Sequence, residues 1–270
     1  MNEDCLYLNI FTPNASSSNK YPVILWIHGG AFVTGSAFTP VNLPGAVRNF
    51  VSNGIVVVSI QYRLGMLGFF TTKTDDFPPN RGLLDQVEAL KFVREEIDNF
   101  GGDPKKITIA GESAGSVSVS AHTYSPLSQN LFQQAIMESG AVWTCIDDST
   151  GYNDEILSMN HSQTLCNFTS DMWNDGDFKT LKDCLQDMDL LKFLPLDNNL
   201  NWGWKITVDG FGPTPTQYLR HNRKHLCESL SKRFRSLILA QKCRRCFHWR
   251  CVYCIYCFYC INSLISSTER

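Results

Sequence analysis

Apolar runs alternate with amphipathic stretches over the first 140 residues of the chain. Residues 6–11 and 22–27 have the composition of strands. Residues 55–60 form a nearly continuous β-branched run, which is typical of a strand buried on both faces. Strands that alternate with helices predict a mostly parallel central sheet flanked by helices. The pattern therefore predicts an α/β fold.

The most regular helical pattern covers residues 81–99. Apolar residues recur there at spacings of three and four, so they form one core-facing stripe. The stripe consists of Leu83, Val87, Leu90, Val93, Ile97 and Phe100. Gly101 and Pro104 are predicted to end this helix, because glycine tolerates a left-handed cap and proline cannot continue a helix.

Shorter elements are predicted after this helix. Residues 107–110 have the pattern of a strand, residues 116–124 that of a helix, and residues 134–137 that of a second short strand. Residues 150–195 have a polar, helical pattern. No internal repeat is visible along the chain.

Composition narrows the classes of function. Of the 270 residues, 43% are hydrophobic and 19% are charged, as in an ordinary soluble globular protein. The formal net charge of −2 argues against the basic surfaces that bind nucleic acid or acidic membranes. No apolar stretch reaches the ~20 residues needed to span a bilayer. The polar, acidic start lacks the pattern of a signal peptide, so none is expected in the chain as written.

A glycine-flanked serine lies between a predicted strand and a predicted helix. Gly111-Glu112-Ser113-Ala114-Gly115 fits G-x-S-x-G, in which a sharp strand-to-helix turn exposes a nucleophilic serine. Glycine is needed two residues to either side, because a larger residue would crowd that turn. Ser113 is therefore the candidate nucleophile, and the N–H of Ala114 is a candidate oxyanion donor. Taken alone, the motif also fits a glycine-rich loop.

A second motif follows the strand predicted at residues 22–27. It reads His28-Gly29-Gly30-Ala31-Phe32. Acyl transfer needs two or more N–H donors near the developing oxyanion, each worth ~3 kcal/mol, and small residues leave room for a substrate to approach the backbone. Gly30 and Ala31 are the candidate donors, and Gly29 is predicted to shape the turn. A flexible surface turn is the alternative for Gly-Gly alone.

Because it carries both motifs, the stretch of residues 3–220 resembles the type B carboxylesterase family, the cholinesterase-like branch of the α/β-hydrolases. Further landmarks of the resemblance lie at residues 3–10, 62–65, 82–86, 99–104 and 208–210. The resemblance implies an α/β-hydrolase fold, incomplete at both ends, and a serine esterase that works through an acyl-enzyme. It implies a small-molecule carboxylic ester as substrate, with neither a cofactor nor a metal.

The resemblance also carries expectations for individual side chains. It implies a pairing of Arg63 with Asp85, for which two unrelated surface charges are the alternative. Glu112 is expected either to support the nucleophile or to be a buried structural acid. His122 is expected to be structural, because it lies two turns into the helix after Ser113.

Cysteines are expected to serve different purposes along the chain. Cys166 and Cys184 stand where family members close a small disulfide loop, whereas Cys5 matches a half-cystine whose partner is not expected in this chain.

Residues 1–225 are expected to form a partial carboxylesterase domain. Residues 226–270 hold seven of the 11 cysteines and are foreign to the family. Their C-x-x-C repeats are too closely spaced for a zinc ribbon. This tail is expected to be disordered or mistranslated, with an intermolecular disulfide or a lipidated tail as alternatives.

The acid and the histidine that activate such a serine are not found in the sequence. In α/β-hydrolases they follow the serine along the chain. The histidines after Ser113, outside its helix, are His161, His221, His225 and His248, and none stands in the family's glycine-flanked context. A truncated, weakly active or inactive esterase is therefore expected. The alternatives are a non-catalytic cholinesterase-like binding or adhesion protein, and a chain that does not fold stably.

Location is expected to be extracellular, as for most of the family. Three sequons, at Asn14, Asn160 and Asn167, are compatible with N-glycans. Because the chain as written has no signal peptide, a protein that is not exported is the alternative.

Overall fold

The computed structural model describes residues 4–38, 43–142, 145, 154–176, 178–193, 196 and 203–207. It divides the chain into two compact units, Met1–Thr214 and Pro215–Arg270, and the second unit lies outside the described residues. The predictions for residues 208–210, for His221, His225 and His248, and for the tail from residue 226 also fall outside them. The domain boundary at residue 225 stays a prediction.

Five strands form one sheet. They are β1 (Leu8–Phe11), β2 (Tyr21–Ile27), β3 (Val56–Ile60), β4 (Gly102–Glu112) and β5 (Gln134–Glu138). Their order across the sheet is β1-β3-β2-β4-β5, and only the β1–β3 pair is antiparallel. The predicted mostly parallel sheet is confirmed. All five residues of β3 are buried, as its β-branched run predicted.

Seven helices accompany the sheet in the described part of the chain. They are α1 (Leu43–Asn49), α2 (Gly65–Phe69), α3 (Arg81–Glu96), α4 (Ala114–Tyr124), α5 (Asp154–Cys166), α6 (Ser170–Asp175) and α7 (Phe178–Gln186). None of them is both long enough and apolar enough to cross a membrane.

The predicted helix at residues 81–99 is α3 followed by a 3-10 turn. That turn covers Ile97–Phe100, and Gly101 ends it at a φ of 80°, the left-handed cap predicted from the sequence. The stripe from Leu83 to Ile97 is buried in the core, and Phe100 packs against it. Gln86 of α3 donates to Ser118 of α4 at 3.2 Å, so a polar contact joins the two helices.

Two elements were missed and one is longer than predicted. The sequence did not predict α1 or α2: α1 is seven residues long and contains proline and glycine, and α2 is five residues long with two glycines. Strand β4 begins at Gly102 rather than residue 107. The register is irregular there, since Tyr21 pairs with Gly102 but Val23 with Ile107. Such a bulge accommodates Pro104 inside a strand.

The ion pair expected between Arg63 and Asp85 is present. Two guanidinium nitrogens donate to the two carboxylate oxygens, at 2.8 and 2.6 Å, and the N–H of Arg63 donates to Oδ2 at 2.9 Å. Only 6% of the Asp85 side chain is exposed. This bidentate pair, with its buried carboxylate, fixes the segment after β3 to helix α3.

The expected disulfide joins Cys166 and Cys184. It connects the end of α5 to α7, and a small aromatic cluster packs inside the loop that it closes. Trp173 meets Phe178 edge-on with ring centroids 5.2 Å apart, and Phe168 lies 6.2 Å from Phe178. Cys5 carries a free thiol.

Strand β5 stands at one end of the sheet. All five of its residues are exposed, and Ile136 and Met137 each expose 44% of their surface. Within the described residues, no strand pairs with the edge of β5 that faces away from β4.

Candidate active site

Ser113 occupies a sharp turn between β4, which ends at Glu112, and α4, which begins at Ala114. Its φ and ψ are 54° and −122°, a conformation that residues other than glycine rarely adopt. Two hydrogen bonds hold the turn: Ser113 N–H donates to Glu138 O, and Val117 N–H donates to Ser113 O, both at 2.9 Å. The strand–serine–helix arrangement matches the one predicted from the motif.

The glycines on either side of Ser113 are required by close backbone packing. A Cβ at Gly115 would overlap Ile27 O and lie 2.9 Å from His28 O. A Cβ at Gly111 would lie 2.5 Å from Gly115 C. A further glycine, which the sequence did not single out, serves the same turn: a Cβ at Gly140 would lie 2.5 Å from Ser113 O.

The Gly-Gly-Ala loop, residues 28–34, follows β2 and turns through left-handed backbone. Gly30, Ala31 and Phe32 have φ values of 112°, 55° and 60°. The N–H groups of Val33 and Thr34 both donate to Gly30 O, at 2.9 and 3.0 Å. The sequence predicted a tight turn here but not that two residues with side chains adopt positive φ.

Phe32 anchors the loop in the core. Its side chain is fully buried, with its ring 4.7 Å from that of Phe69. Its carbonyl accepts from Gly65 N–H at 2.7 Å. Ala31, by contrast, is exposed. Packing at Phe32 therefore holds the loop while Ala31 remains open to solvent.

The loop lies directly against the serine turn. A Cβ built at Gly29 would lie 2.6 Å from Glu112 O, 3.1 Å from Ser113 Cβ and 3.2 Å from Glu112 Oε2. Two motifs that are about 80 residues apart in sequence therefore meet at Gly29. Glu112 is partly buried and borders this contact.

Three backbone N–H groups near this contact are available to a ligand. Among the described residues, no acceptor takes a hydrogen bond from the N–H of Gly30, Ala31 or Ala114. Ala114 is the first residue of α4, where the helix dipole favours negative charge. The structure thus brings Gly29 against Ser113 and Glu112, while Gly30 and Ala31 follow Gly29 in the loop and Ala114 follows Ser113 in the chain.

His28 supports the loop from within the core. It is fully buried and its ring stacks on Tyr62 with centroids 4.4 Å apart, while Tyr62 OH donates to His28 O at 2.8 Å. The ring Nδ1 lies 2.9 Å from Gly29 O, and burial lowers the pKa of His28. Because Gly29 O can only accept, Nδ1–H donates to it, and burial favours the neutral form of the ring.

No described histidine is bonded to the hydroxyl of Ser113. His122 is fully buried and bonds Gln86 Oε1 and Ser128 Oγ, each at 2.9 Å, which agrees with the structural role predicted for it. His161 packs edge-on against Trp204 with centroids 5.6 Å apart. Burial lowers the pKa of His122 to about 3 and that of His161 to about 4.

Comparisons with known proteins agree on one family. The model of the Carboxylesterase family matches residues 1–238. An acylcarnitine hydrolase of Mus musculus is 53% identical over 141 residues, 52% of this chain and 24% of that protein. A juvenile hormone esterase of Tribolium castaneum is 40% identical over 200 residues, 74% of this chain and 33% of that protein.

A solved structure gives the same answer for the fold. A PNB esterase, 33% identical, superposes with a TM-score of 0.64 over 78% of this chain and 44% of that chain. The matched part of the chain spans about a quarter to a third of the length of the curated relatives named above.

Proposed function

The chain belongs to the carboxylesterase family, and from this premise we propose that it carries the nucleophile and oxyanion donors of a carboxylic ester hydrolase. The observation that supports this most is the contact of Gly29 with Ser113 and Glu112, since it brings a loop with free N–H groups to a strained, partly exposed serine. Backbone donors fixed before the reaction begins are an effective way to stabilise a developing oxyanion.

The proposed reaction proceeds through an acyl-enzyme. Ser113 Oγ attacks the ester carbonyl carbon, and the N–H groups of Gly30, Ala31 and Ala114 donate to the oxygen as it becomes negative. The C–O bond to the alcohol then breaks, leaving the acyl group on Ser113, and water hydrolyses that ester. The hydroxyl proton must first pass to a general base and from there to the leaving alcohol.

We expect this chain, tested alone, to turn esters over slowly. No described histidine reaches Ser113, and a serine without its base loses roughly 10⁴- to 10⁶-fold in rate, because the members of a triad act as a unit. The oxyanion donors and substrate binding would leave a residual rate.

A fluorophosphonate probe tests both parts of the proposal on the 270-residue chain. We expect slow labelling confined to Ser113 and abolished by Ser113→Ala. Ser18→Ala is the control, because Ser18 is an exposed serine in the segment between β1 and β2, away from the serine turn. Labelling of another serine would refute the role of Ser113. Rapid, stoichiometric labelling of Ser113 would refute the expectation that a base is absent.

A non-catalytic binding protein is the competing function. The lack of a described histidine bonded to Ser113 favours it, whereas a binding protein has no need of free N–H groups beside a strained serine. Saturable binding of an ester without any labelling of Ser113 after prolonged exposure to the probe would support this second function over the first.

An extracellular location is part of the proposal. The disulfide between Cys166 and Cys184 is typical of oxidising compartments, and the sequon asparagines Asn14, Asn160 and Asn167 are all exposed. Expression through a secretory pathway, followed by N-glycosidase treatment, should lower the mass of the protein. An unchanged mass would argue against glycans at these residues.

A further inference from the structure

We propose that Gly203 and Trp204 are positioning residues for the Gly-Gly-Ala loop, which they support at Ala31. This inference rests on the proposed function, in which the N–H of Ala31 is an oxyanion donor. Neither residue belongs to a motif that pointed to catalysis, and both lie about 170 residues after Ala31 in the chain.

Gly203 lies against Ala31 without room for a methyl group. A Cβ built at Gly203 would overlap Ala31 O, lie 2.7 Å from Ala31 Cβ and lie 3.0 Å from Ala31 C. Gly203 has a φ of 68°, which glycine adopts readily. The next residue adds a bond: Trp204 N–H donates to Ala31 O at 3.2 Å, and only 1% of Trp204 is exposed.

The segment that carries these residues is itself fixed to the fold. Lys205 N–H donates to the buried carboxylate of Asp154, at 2.9 Å to Oδ1, and Ile206 N–H donates to Cys145 O at 2.8 Å. These two hydrogen bonds hold the segment in place, so it can support Ala31 rigidly.

A side-chain amide fixes the far end of the segment. Asn80 Nδ2 donates to Thr207 O at 2.7 Å, and Thr207 N–H donates to Asn80 Oδ1 at 3.0 Å. Asn80 is buried, has a φ of 59°, and directly precedes helix α3. The segment Gly203–Thr207 thus runs from helix α3 to the Gly-Gly-Ala loop, bonded at both ends.

Support at Ala31 matters because this residue holds a disfavoured conformation. A left-handed backbone is unfavourable for a residue with a Cβ, so Ala31 at a φ of 55° relaxes unless its neighbours prevent it. Relaxation would turn the Ala31 N–H away from its present direction. A donor displaced by about 1 Å can cost a reaction roughly 100-fold in rate.

Two glycines allow a matched test of this support. Gly203→Ala and Gly176→Ala both place alanine at a similar positive φ, of 68° and 74°, so both variants carry a backbone penalty for a left-handed residue. A Cβ at Gly176 meets no atom within 4 Å, whereas one at Gly203 meets Ala31. Any difference between the two variants therefore reports the contact with Ala31.

The first readout does not depend on catalysis. The amides of Val33 and Thr34 donate to Gly30 O, so their hydrogen exchange follows the integrity of the loop. We expect exchange at both amides to be about tenfold faster in Gly203→Ala than in Gly176→Ala, with equal exchange in helix α4. Equal exchange at Val33 and Thr34 in the two variants would overturn the proposal.

The second readout separates this inference from the proposed function. The maximal rate at which a fluorophosphonate labels Ser113 should be about tenfold lower in Gly203→Ala than in Gly176→Ala. The probe concentration that gives half of the maximal rate should be the same in both variants. If neither the natural chain nor Gly176→Ala is labelled, the proposed function fails, while the difference in exchange still supports the positioning role. An unchanged maximal rate would refute that role.

A milder variant decides the matter if Gly203→Ala does not fold. Asn80→Gly keeps the left-handed backbone but removes both bonds to Thr207. Asn167→Gly is its control, since Asn167 also has a positive φ, of 52°, and an exposed side chain. Faster exchange at Val33 and Thr34 in Asn80→Gly alone would support the proposal, and equal exchange in both would overturn it.

Discussion

Ala31, Phe32 and Ser113 hold left-handed backbone within one small site, at φ values of 55°, 60° and 54°. Each such residue costs about 1–3 kcal/mol, and the conformation persists only where neighbouring contacts enforce it. Burial of Phe32 and the hydrogen bond from Ser113 N–H to Glu138 O supply that enforcement here. Packing and hydrogen bonding therefore hold the Ser113 hydroxyl and the N–H groups of the Gly-Gly-Ala loop in fixed directions, at a cost in backbone strain.

Buried histidines make stability depend on pH, and His122 and His161 are two of them. The pKa of His122 falls to about 3 and that of His161 to about 4, from an ordinary value of 6.5. Below pH 6.5 these histidines bind protons in the unfolded chain but not in the folded chain. The free energy of unfolding therefore decreases as the pH falls from 6.5 toward 4. Each histidine contributes a slope of about 1.4 kcal/mol per pH unit in that window.

His161→Phe isolates one of these contributions. Phenylalanine keeps an aromatic ring against Trp204 and removes the titrating group, whose Nδ1 has no partner among the described residues. Relative to the natural chain, the variant should gain on the order of 2 kcal/mol of unfolding free energy between pH 7 and pH 5. Urea unfolding at both pH values measures this, and a constant difference would show that His161 does not titrate in that window.

Several residue roles could be predicted because their chemistry is local. The glycines around Ser113 follow from the geometry of one turn. The pairing of Arg63 with Asp85 is not local, and it was predicted from the family resemblance instead. Gly140 and Gly203 could not be predicted, because their need for glycine arises from contacts with Ser113 and Ala31 that only the folded chain creates.

At the level of elements, α5 and α7 depend on a covalent link. The disulfide from Cys166 to Cys184 spans a sequence separation of 18 and encloses the aromatic cluster around Phe178. Helix α6 lies within the same loop and has only six residues. Such a short helix is marginal alone, so the loop and the cluster stabilise each other.

Replacing both cysteines by serine should lower the free energy of unfolding by about 3 kcal/mol, the value expected for a loop of this length. Urea unfolding of the variant measures this. The control is to measure the natural chain and the variant both in excess reductant, where their free energies of unfolding should agree because the disulfide of the natural chain is then reduced. A loss below about 1 kcal/mol would mean that the aromatic cluster alone holds the loop.

Element prediction succeeded where the periodicity is long and failed where it is short. Helix α3 has a 16-residue pattern with one apolar stripe, whereas α2 has five residues and no room for periodicity. The early start of β4 was hidden because glycine and proline usually interrupt a strand, and only pairing with β2 shows that the backbone remains extended.

At the scale of the whole molecule, the central sheet is covered unevenly. Strand β3 is fully buried, while every residue of β5 is exposed, although both strands lie in the same sheet. Alternating burial in β2 and the buried stripe of α3 place the core beneath the middle of the sheet. The strands of parallel sheets are normally covered on both faces, whereas β5 is exposed along its whole length.

Exposure of β5 bears on how the protein behaves in concentrated solution. An open strand edge offers unpaired N–H and C=O groups to any other chain, including another copy, and Ile136 and Met137 add apolar surface to it. We expect sedimentation velocity to show concentration-dependent self-association of the natural chain.

Ile136→Lys should suppress that association, because a charge on an open edge opposes strand pairing. Leu127→Lys is the matched control: it adds the same charge at an apolar residue that is 51% exposed but lies outside the sheet. Equal association in both variants would exclude the strand edge as its cause. If the edge is the cause, colloidal behaviour rather than folding free energy will limit the concentration at which this chain can be handled.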